Sequence, residues 1–110
     1  MIYSIHSSGR ADTDVAVIFE WIANRSPEGA HRWLDAFEAA VNNLRQNAPD
    51  CDFATEAEDL GIDLRHTMFR TRRGQVYRLL FVIHDDQEYL AGVRGPGRDV
   101  VSVEDVDLPE

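Results

Sequence analysis

The chain of 110 residues is long enough for one domain with a single hydrophobic core and too short for two. A formal net charge of −9 argues against non-specific binding to nucleic acid, and no apolar run approaches the ~20 residues that cross a membrane. The one cysteine, Cys51, cannot form an internal disulfide, so we expect a cytoplasmic protein that does not bind membranes.

The first predicted elements are a short strand and a helix. Residues 2–6 alternate in polarity, as in a strand with one buried side. Asp12, Thr13 and Asp14 then offer capping side chains and negative charge for the start of a helix that ends near Asn24. Trp21 lies off the apolar face of this helix, and it either packs on the next helix or belongs to a partner surface. The apolar face itself consists of Val15, Ile18, Phe19 and Ile22.

A second helix follows after a connection of two or three residues. Ser26 is a suitable cap, Pro27 fits the first helical position, and Glu28 places negative charge in the first turn. The apolar face continues for about four turns until Asn47 and Pro49 end the helix. Two amphipathic helices joined so closely pack as an antiparallel hairpin. The apolar face of the second helix consists of Ala30, Trp33, Leu34, Phe37, Val41 and Leu44.

Three further strands are predicted in the second half of the chain. The acidic, irregular residues 49–61 are interpreted as a loop, and strand patterns follow over residues 64–71, 76–84 and 88–94. Apolar strands need a covering layer, and the helix hairpin is the available one. We therefore predict an α+β domain in the order β-α-α-β-β-β, with the helix hairpin packed on one face of a small antiparallel sheet.

The register of the last two strands follows from keeping charge out of the core. A three-residue turn at residues 85–87 aligns apolar residues on one face, whereas a two-residue turn would set Glu88 against Ile83. The same register sets Arg78 opposite Arg94 on the face away from the helices. Two like charges in this position destabilise a sheet by up to ~1 kcal/mol unless an anion lies between them. The predicted apolar pairs are Ile83 with Tyr89, Phe81 with Ala91, and Leu79 with Val93.

Positive charge is concentrated in one part of the chain. Residues 1–64 carry four arginines and twelve acids, residues 65–98 carry seven arginines and three acids, and residues 99–110 carry five acids and no base. We interpret the arginine-rich part as the place where an anion or a partner protein binds. The candidate residues are Arg65, Arg70, Arg72, Arg73, Arg78, Arg94 and Arg98.

Simpler interpretations exist for some of these arginines. Arg72 and Arg73 fall in a turn, where a solvated surface is the simpler one. Arg78 lies in mid-strand and needs a partner, for which a ligand phosphate and an internal acid from residues 50–63 or the C-terminal tail are equally suitable. The histidines lie at no metal-ligand spacing with one another or with Cys51, so we expect neither a metal ion nor another cofactor.

Two segments of the chain are informative together: SPEGAHRWLDAFEAAVNNL and LRHTMFRTRRGQVYRLLFVIHDDQEYLAGVRGPGRD. Their content and order resemble the RelE/ParE superfamily of bacterial toxins. The most specific features are the Tyr-Arg pair at the start of the apolar run from Tyr77 to Ile83 and the Val-Arg-Gly that ends the last strand. The resemblance covers residues 1–99 as one toxin domain and leaves residues 100–110 as an acidic tail. It implies the toxin of a type II toxin–antitoxin system, also called a plasmid stabilisation protein, which a cognate antitoxin neutralises.

The superfamily contains two chemistries. RelE-like members cut messenger RNA on the ribosome, and the resemblance then makes Arg78 and Arg98 the candidate catalytic cations. ParE-like members share the fold, lack the acid–base residues and poison DNA gyrase. This acidic chain has no His or Tyr beyond Arg98 to protonate a leaving group, so we favour the ParE-like function. The alternatives are a ribosome-dependent mRNA endoribonuclease and an inactive binding module with the toxin fold.

The resemblance also implies how the antitoxin binds. Antitoxins of this superfamily wrap the toxin with an extended or helical segment. We expect acidic residues of that segment to meet Arg78 and Arg94, and the helices are the alternative binding surface.

Overall fold

The structure is a computed structural model that describes residues 2–72 and 74–95. The candidate residues Arg73 and Arg98 and the acidic tail lie outside the described residues. None of the helices in the described part of the chain combines the length and the apolarity that spanning a bilayer requires. The elements are β1 (Ser4–Ser7), α1 (Gly9–Ala23), α2 (Pro27–Asn47), a one-turn helix α3 (Ala57–Leu60), β2 (Leu64–Phe69), β3 (Tyr77–His84) and β4 (Gln87–Arg94).

Helix α1 begins earlier in the chain than predicted. Ser8 caps it by accepting a hydrogen bond from the backbone amide of Ala11 at 3.0 Å. The two acids predicted to cap it have other partners: Asp12 accepts a hydrogen bond from the Ser7 hydroxyl at 2.6 Å, and Asp14 reaches β4. A serine one turn upstream therefore fixes the start of the helix.

Helix α2 begins as predicted. The Ser26 hydroxyl accepts a hydrogen bond from the Gly29 amide at 3.0 Å, and Pro27 occupies the first helical position, where its missing N–H has no consequence. The helix ends at Asn47 and a short 3₁₀ turn, Ala48–Asp50, follows it. The predicted helix hairpin is therefore present.

The four strands form one mixed sheet in the order β1-β4-β3-β2. The pairs β2–β3 and β3–β4 are antiparallel, as predicted, whereas β1 joins β4 as a parallel neighbour. Parallel neighbours require a crossover connection, which α1, α2 and the next two strands supply here. The predicted α+β fold is confirmed, with one parallel edge strand in the sheet.

The helix hairpin packs on one face of this sheet through the residues predicted to do so. Phe81 and Leu79 are fully buried there and Val93 nearly so, and Trp33 of α2 is 2% exposed against them. Burial of these side chains is the main stabilisation of the fold. The half-buried residues of the same cluster include Val15, Ile18, Phe19, Ile22, Leu34, Phe37, Val41 and Ile83.

The opposite face of the sheet is also covered, which the prediction did not include. Residues 52–62, here called the covering segment, lie between α2 and β2, where a loop was predicted, and they contain α3. Gly61 ends this helical turn in the left-handed conformation with φ of 69°. Backbone hydrogen bonds join Ala54 to Leu64 and His66 to Asp52, so the segment is fixed against the outer edge of β2. The second core consists of Ala54, Leu64, Leu80 and Ala91, with Ala57, Leu60, Ile62 and Val82 packed around it.

The turn between β3 and β4 corrects the predicted register at that end of the hairpin. It has two residues, Asp85 and Asp86, so Ile83 faces Glu88, the pairing that a charge-free core would exclude. The assumption that a glutamate stays out of the core was wrong. Glu88 is fully buried, and burial raises the pKa of its carboxyl to about 7. The predicted pairs of Ile83 with Tyr89 and of Phe81 with Ala91 are therefore wrong.

A β-bulge restores the predicted register at the other end. Leu80 pairs with Gly92 and Phe81 with Leu90, which leaves Ala91 as an extra residue in β4. Beyond the bulge the predicted pairs are present: Leu79 with Val93 and Arg78 with Arg94.

Candidate functional site

Two buried arginines lie side by side in the middle of the sheet. Arg78 of β3 is 8% exposed, Arg94 of β4 is 4% exposed, and the two residues are direct partners in the strand register. A buried guanidinium is strongly destabilising unless an anion and further hydrogen bonds compensate for its lost hydration. The acidic groups beside each arginine therefore decide whether it can bind a ligand anion.

Arg78 is neutralised by the segment that covers the sheet. Its Nη1 and Nη2 atoms donate hydrogen bonds to Oε1 and Oε2 of Glu56 at 3.0 and 2.6 Å, in the bidentate geometry that arginine forms best with carboxylates. These hydrogen bonds lower the pKa of the Glu56 carboxyl to about 2. Glu56 lies within residues 50–63 and is thus the kind of internal acid that the sequence offered as an alternative to a ligand phosphate.

His66 of β2 adjoins this ion pair. Its Nδ1 atom lies 3.4 Å from Nη1 of Arg78. Burial, and then the positive charge of Arg78, lower the pKa of the imidazole, so the ring is neutral near pH 7. Glu56, His66 and Arg78 thus form one cluster of a carboxylate, a neutral imidazole and a guanidinium.

Arg94 is neutralised from another direction, by α1. Its Nη1 atom lies 3.4 Å from Oδ2 of Asp14, and the same oxygen accepts a hydrogen bond from the backbone amide of Val93 at 3.0 Å. Because β1 pairs with β4 only as far as Leu90, Asp14 takes the place of a neighbouring strand beyond that point. Arg10 adds a further ion pair, with 3.5 Å between its Nε and Oδ1 of Asp14.

The other described arginine candidates have separate surroundings. Arg65 of β2 donates a hydrogen bond to the backbone oxygen of Cys51 at 2.8 Å, and its guanidinium lies 4.2 Å from the centre of the Phe53 ring. It holds the covering segment in place by a hydrogen bond and a cation–π contact. Arg70 and Arg72 are exposed beyond the end of β2.

The buried arginines and their acids form a closed electrostatic network. Both oxygens of Glu56 engage the guanidinium of Arg78, so a ligand anion would have to compete with this carboxylate. Sequence reasoning offered the acids of residues 50–63 as partners for Arg78 without singling out Glu56, and it missed His66 and Asp14 as parts of this network. The acidic composition of residues 49–61 was the one available signal for Glu56, and Asp14 was interpreted only as a helix cap.

A second surface of interest lies on the outside of the helix hairpin. Val17 and Trp21 of α1, one turn apart, are 54% and 56% exposed. The guanidinium of Arg25 lies 3.8 Å from the centre of the Trp21 indole and covers one side of it. A tryptophan that remains mostly in solvent agrees better with the partner-surface interpretation than with packing on α2.

Two open clefts follow the line between α1 and α2 and share Asp12 and Val15, so together they form one groove, here called the hairpin groove. Its floor is mostly apolar, with the acids Asp12 and Glu20 on the α1 side and Arg45 at one end. The first cleft, of about 490 Å³, is lined by Asp12, Val15, Ala16, Phe19, Glu20 and Leu34. The second, of about 320 Å³, is lined by Ile5, Ser7, Asp12, Val15, Phe37, Val41, Arg45 and Leu90.

Comparison with known proteins gives one family match. A family model described as "ParE toxin of type II toxin-antitoxin system, parDE" matches residues 5–94, from β1 to the end of β4. No curated protein matches the chain. The matched region includes both buried arginines, the acids that neutralise them and the whole helix hairpin.

Proposed function

Since the chain belongs to the ParE toxin family of type II toxin–antitoxin systems, we propose that it is a toxin without nuclease activity whose target is DNA gyrase. Family membership also implies a cognate antitoxin that neutralises it. The observation that supports the proposal most strongly is the closed ion pair between Arg78 and Glu56.

A ribonuclease of this fold needs a free cation and a suitable base. A cation that stabilises a phosphorane must point at the position where charge develops, whereas the Arg78 side chain is only 10% exposed and already holds a carboxylate in bidentate geometry. A general base works best when its pKa is near the working pH, about 7. The Glu56 carboxylate, with a pKa of about 2, is a far weaker base than that. Both features favour a structural role for this pair.

The neighbouring imidazole does not supply a suitable acid. A leaving oxygen must receive a proton, so its donor has to be protonated at working pH. The lowered pKa of His66 leaves the ring mostly without that proton near neutrality. The contact of Glu56, His66 and Arg78 still brings three types of catalytic group together, and it is the reason to retain a ribosome-dependent endoribonuclease as the second candidate function.

The antitoxin binds along the hairpin groove in this proposal. Arg78 and Arg94, the sequence-predicted contacts, already have acidic partners within the chain, so an acidic antitoxin segment would gain little there. The groove instead offers apolar surface to an amphipathic helix, and the exposed Trp21 offers a separate apolar contact to the same partner. Charge complementarity calls for basic residues of that helix beside Asp12 and Glu20.

The target is tested with purified components. Protein mixed with gyrase, supercoiled plasmid and ATP should leave broken DNA after the enzyme is denatured, while messenger RNA on translating ribosomes stays intact. Arg78→Lys, checked for folding by circular dichroism, is the control because it keeps the charge and loses the bidentate fork. DNA breakage should persist in this variant.

Two other outcomes would contradict the proposal. Cleavage of messenger RNA that Arg78→Lys reduces strongly would establish the endoribonuclease. Intact DNA, intact RNA and normal growth of bacteria that express the protein without its antitoxin would leave an inactive binding module with the toxin fold.

A further inference from the structure

One acidic side chain in the core has no hydrogen-bond partner among the described residues. Glu88 of β4 is 0% exposed, and within residues 2–72 and 74–95 no donor forms a hydrogen bond with either of its carboxyl oxygens. Its neighbours in the strand register are Ile5 of β1 and Ile83 of β3, both packed on the core beneath the helices. A charged carboxylate in such apolar surroundings costs several kcal/mol, so a carboxyl in this place is kept neutral.

The groups that act on Glu88 come from the C-terminal end of α2 and the turn that follows it. Arg45, in the last turn of α2, is the positive charge that favours ionisation of Glu88. The thiol of Cys51, whose own pKa burial raises, is the other titratable neighbour, while β1 and β3 contribute the two isoleucines. The C-terminal end of a helix dipole is negative, which further disfavours an anion beneath it.

The same turn of α2 holds the first strand. The backbone oxygen of Arg45 accepts a hydrogen bond from the amide of Tyr3 at 2.8 Å, immediately before β1 begins. Arg45 therefore has two roles: its backbone anchors the chain at β1, and its side chain carries the charge that acts on Glu88. An ionised Glu88 would require Arg45 or water to move inward, and either movement separates the end of α2 from the sheet.

We propose that Glu88 is a proton-controlled latch, which seats the C-terminal turn of α2 on β4 and β1 while it is neutral and loosens that turn when it ionises. The direction of the effect follows from burial, which raises the pKa of the folded carboxyl from 4.5 to about 7. The stabilisation of the contact between the C-terminal turn of α2 and the strands β4 and β1 is complete below pH 4.5, weakens as pH rises, and is lost as pH passes through about 7. The change thus falls in the range where bacterial interiors operate.

The stability of the whole chain against pH is the first test. Between pH 5 and pH 8, the folding equilibrium constant of the natural protein should fall by roughly 70-fold more than that of Glu88→Gln, which cannot ionise. Glu58→Gln is the matched control, because Glu58 is an exposed glutamate of α3, and its profile should follow that of the natural protein. Arg45→Gln removes the charge that favours ionisation, so its loss of stability should continue to higher pH and be larger in total than that of the natural protein.

Hydrogen exchange locates the movement. The protection factor of the Tyr3 amide, corrected for intrinsic exchange, should fall by about tenfold more from pH 6 to pH 8 than that of the Ala54 amide. The Ala54 amide is the reference because it bonds to Leu64, far from the end of α2. In Glu88→Gln the two amides should change alike. Parallel stability profiles of the natural protein and Glu88→Gln, or equal changes at Tyr3 and Ala54 in the natural protein, would overturn the latch.

Discussion

The two faces of the sheet treat a glutamate shielded from solvent in opposite ways. On the face covered by residues 52–62, Glu56 receives two hydrogen bonds from Arg78, and its pKa falls to about 2. On the face beneath the helices, Glu88 receives no hydrogen bond from the part of the chain that the structure describes, and its pKa rises to about 7. Both start from the same ordinary value of 4.5. The difference shows that the available donors, and not burial alone, decide whether a buried carboxyl carries charge.

These two carboxyls also make opposite contributions to stability. Glu56 stabilises the fold by about 3 kcal/mol above pH 4.5, and this is lost as pH falls towards 2. Glu88 costs nothing below pH 4.5 and reaches a cost of about 3 kcal/mol as pH rises through 7. Their joint contribution is therefore greatest near pH 4.5, and the variants below separate the two faces.

The largest expected effect compares the apolar cores of the two faces. Phe81 faces the helices and its chain neighbour Leu80 faces the covering segment, and both are at most 1% exposed. Phe81→Ala should lower the free energy of unfolding by about 3–5 kcal/mol and Leu80→Ala by about 2–5 kcal/mol, measured by urea denaturation. A loss below about 1 kcal/mol for Leu80→Ala alone would mean that the covering segment is not a true second core.

The next effect breaks the ion pair on the covered face. Glu56→Gln should lower the free energy of unfolding by about 3 kcal/mol at pH 7, because Arg78 loses its charged partner. The difference from the natural protein should shrink as pH falls from 4.5 towards 2, since Glu56 itself becomes protonated there. Urea denaturation at pH 7 and pH 3 measures both values. If the difference is as large at pH 3 as at pH 7, the charge of Glu56 is not its cause.

The smallest expected effect leaves both faces of the sheet intact and tests the outer helix surface. Trp21→Ala should weaken antitoxin binding by about tenfold, or ~1.4 kcal/mol, without altering the unfolding midpoint, because this side chain is mostly exposed. Titration calorimetry gives the affinity. Val76→Ala is the matched control, since Val76 is 48% exposed and precedes β3. A loss of affinity in Arg78→Lys, with no loss in Trp21→Ala, would return the antitoxin to the sheet.

Local patterns explain which parts of the structure the sequence could predict. The helix faces and the cap at Ser26 depend on neighbours within a few residues, and both are as predicted. The parallel edge strand has no such signal, because its partner lies some eighty residues away along the chain. The same holds for Glu56, whose contact with Arg78 spans 22 positions in an acidic segment without periodicity. The turn at Asp85 was mispredicted because a neutral glutamate looks like a charge in the sequence.

The extra residue at Ala91 gives β4 two phases. In a regular strand every second side chain lies on the same side, yet Leu90 and Val93, three positions apart, both pack beneath the helices. The half of the strand before the bulge thus places Glu88 on the face beneath the helices, and the half after it aligns Arg94 with Arg78. Shortening the strand by a residue would leave no frame that satisfies both halves, since one of these side chains would have to exchange faces. We therefore expect a deletion at this position to destabilise the fold more than a substitution of the buried Ala91 side chain.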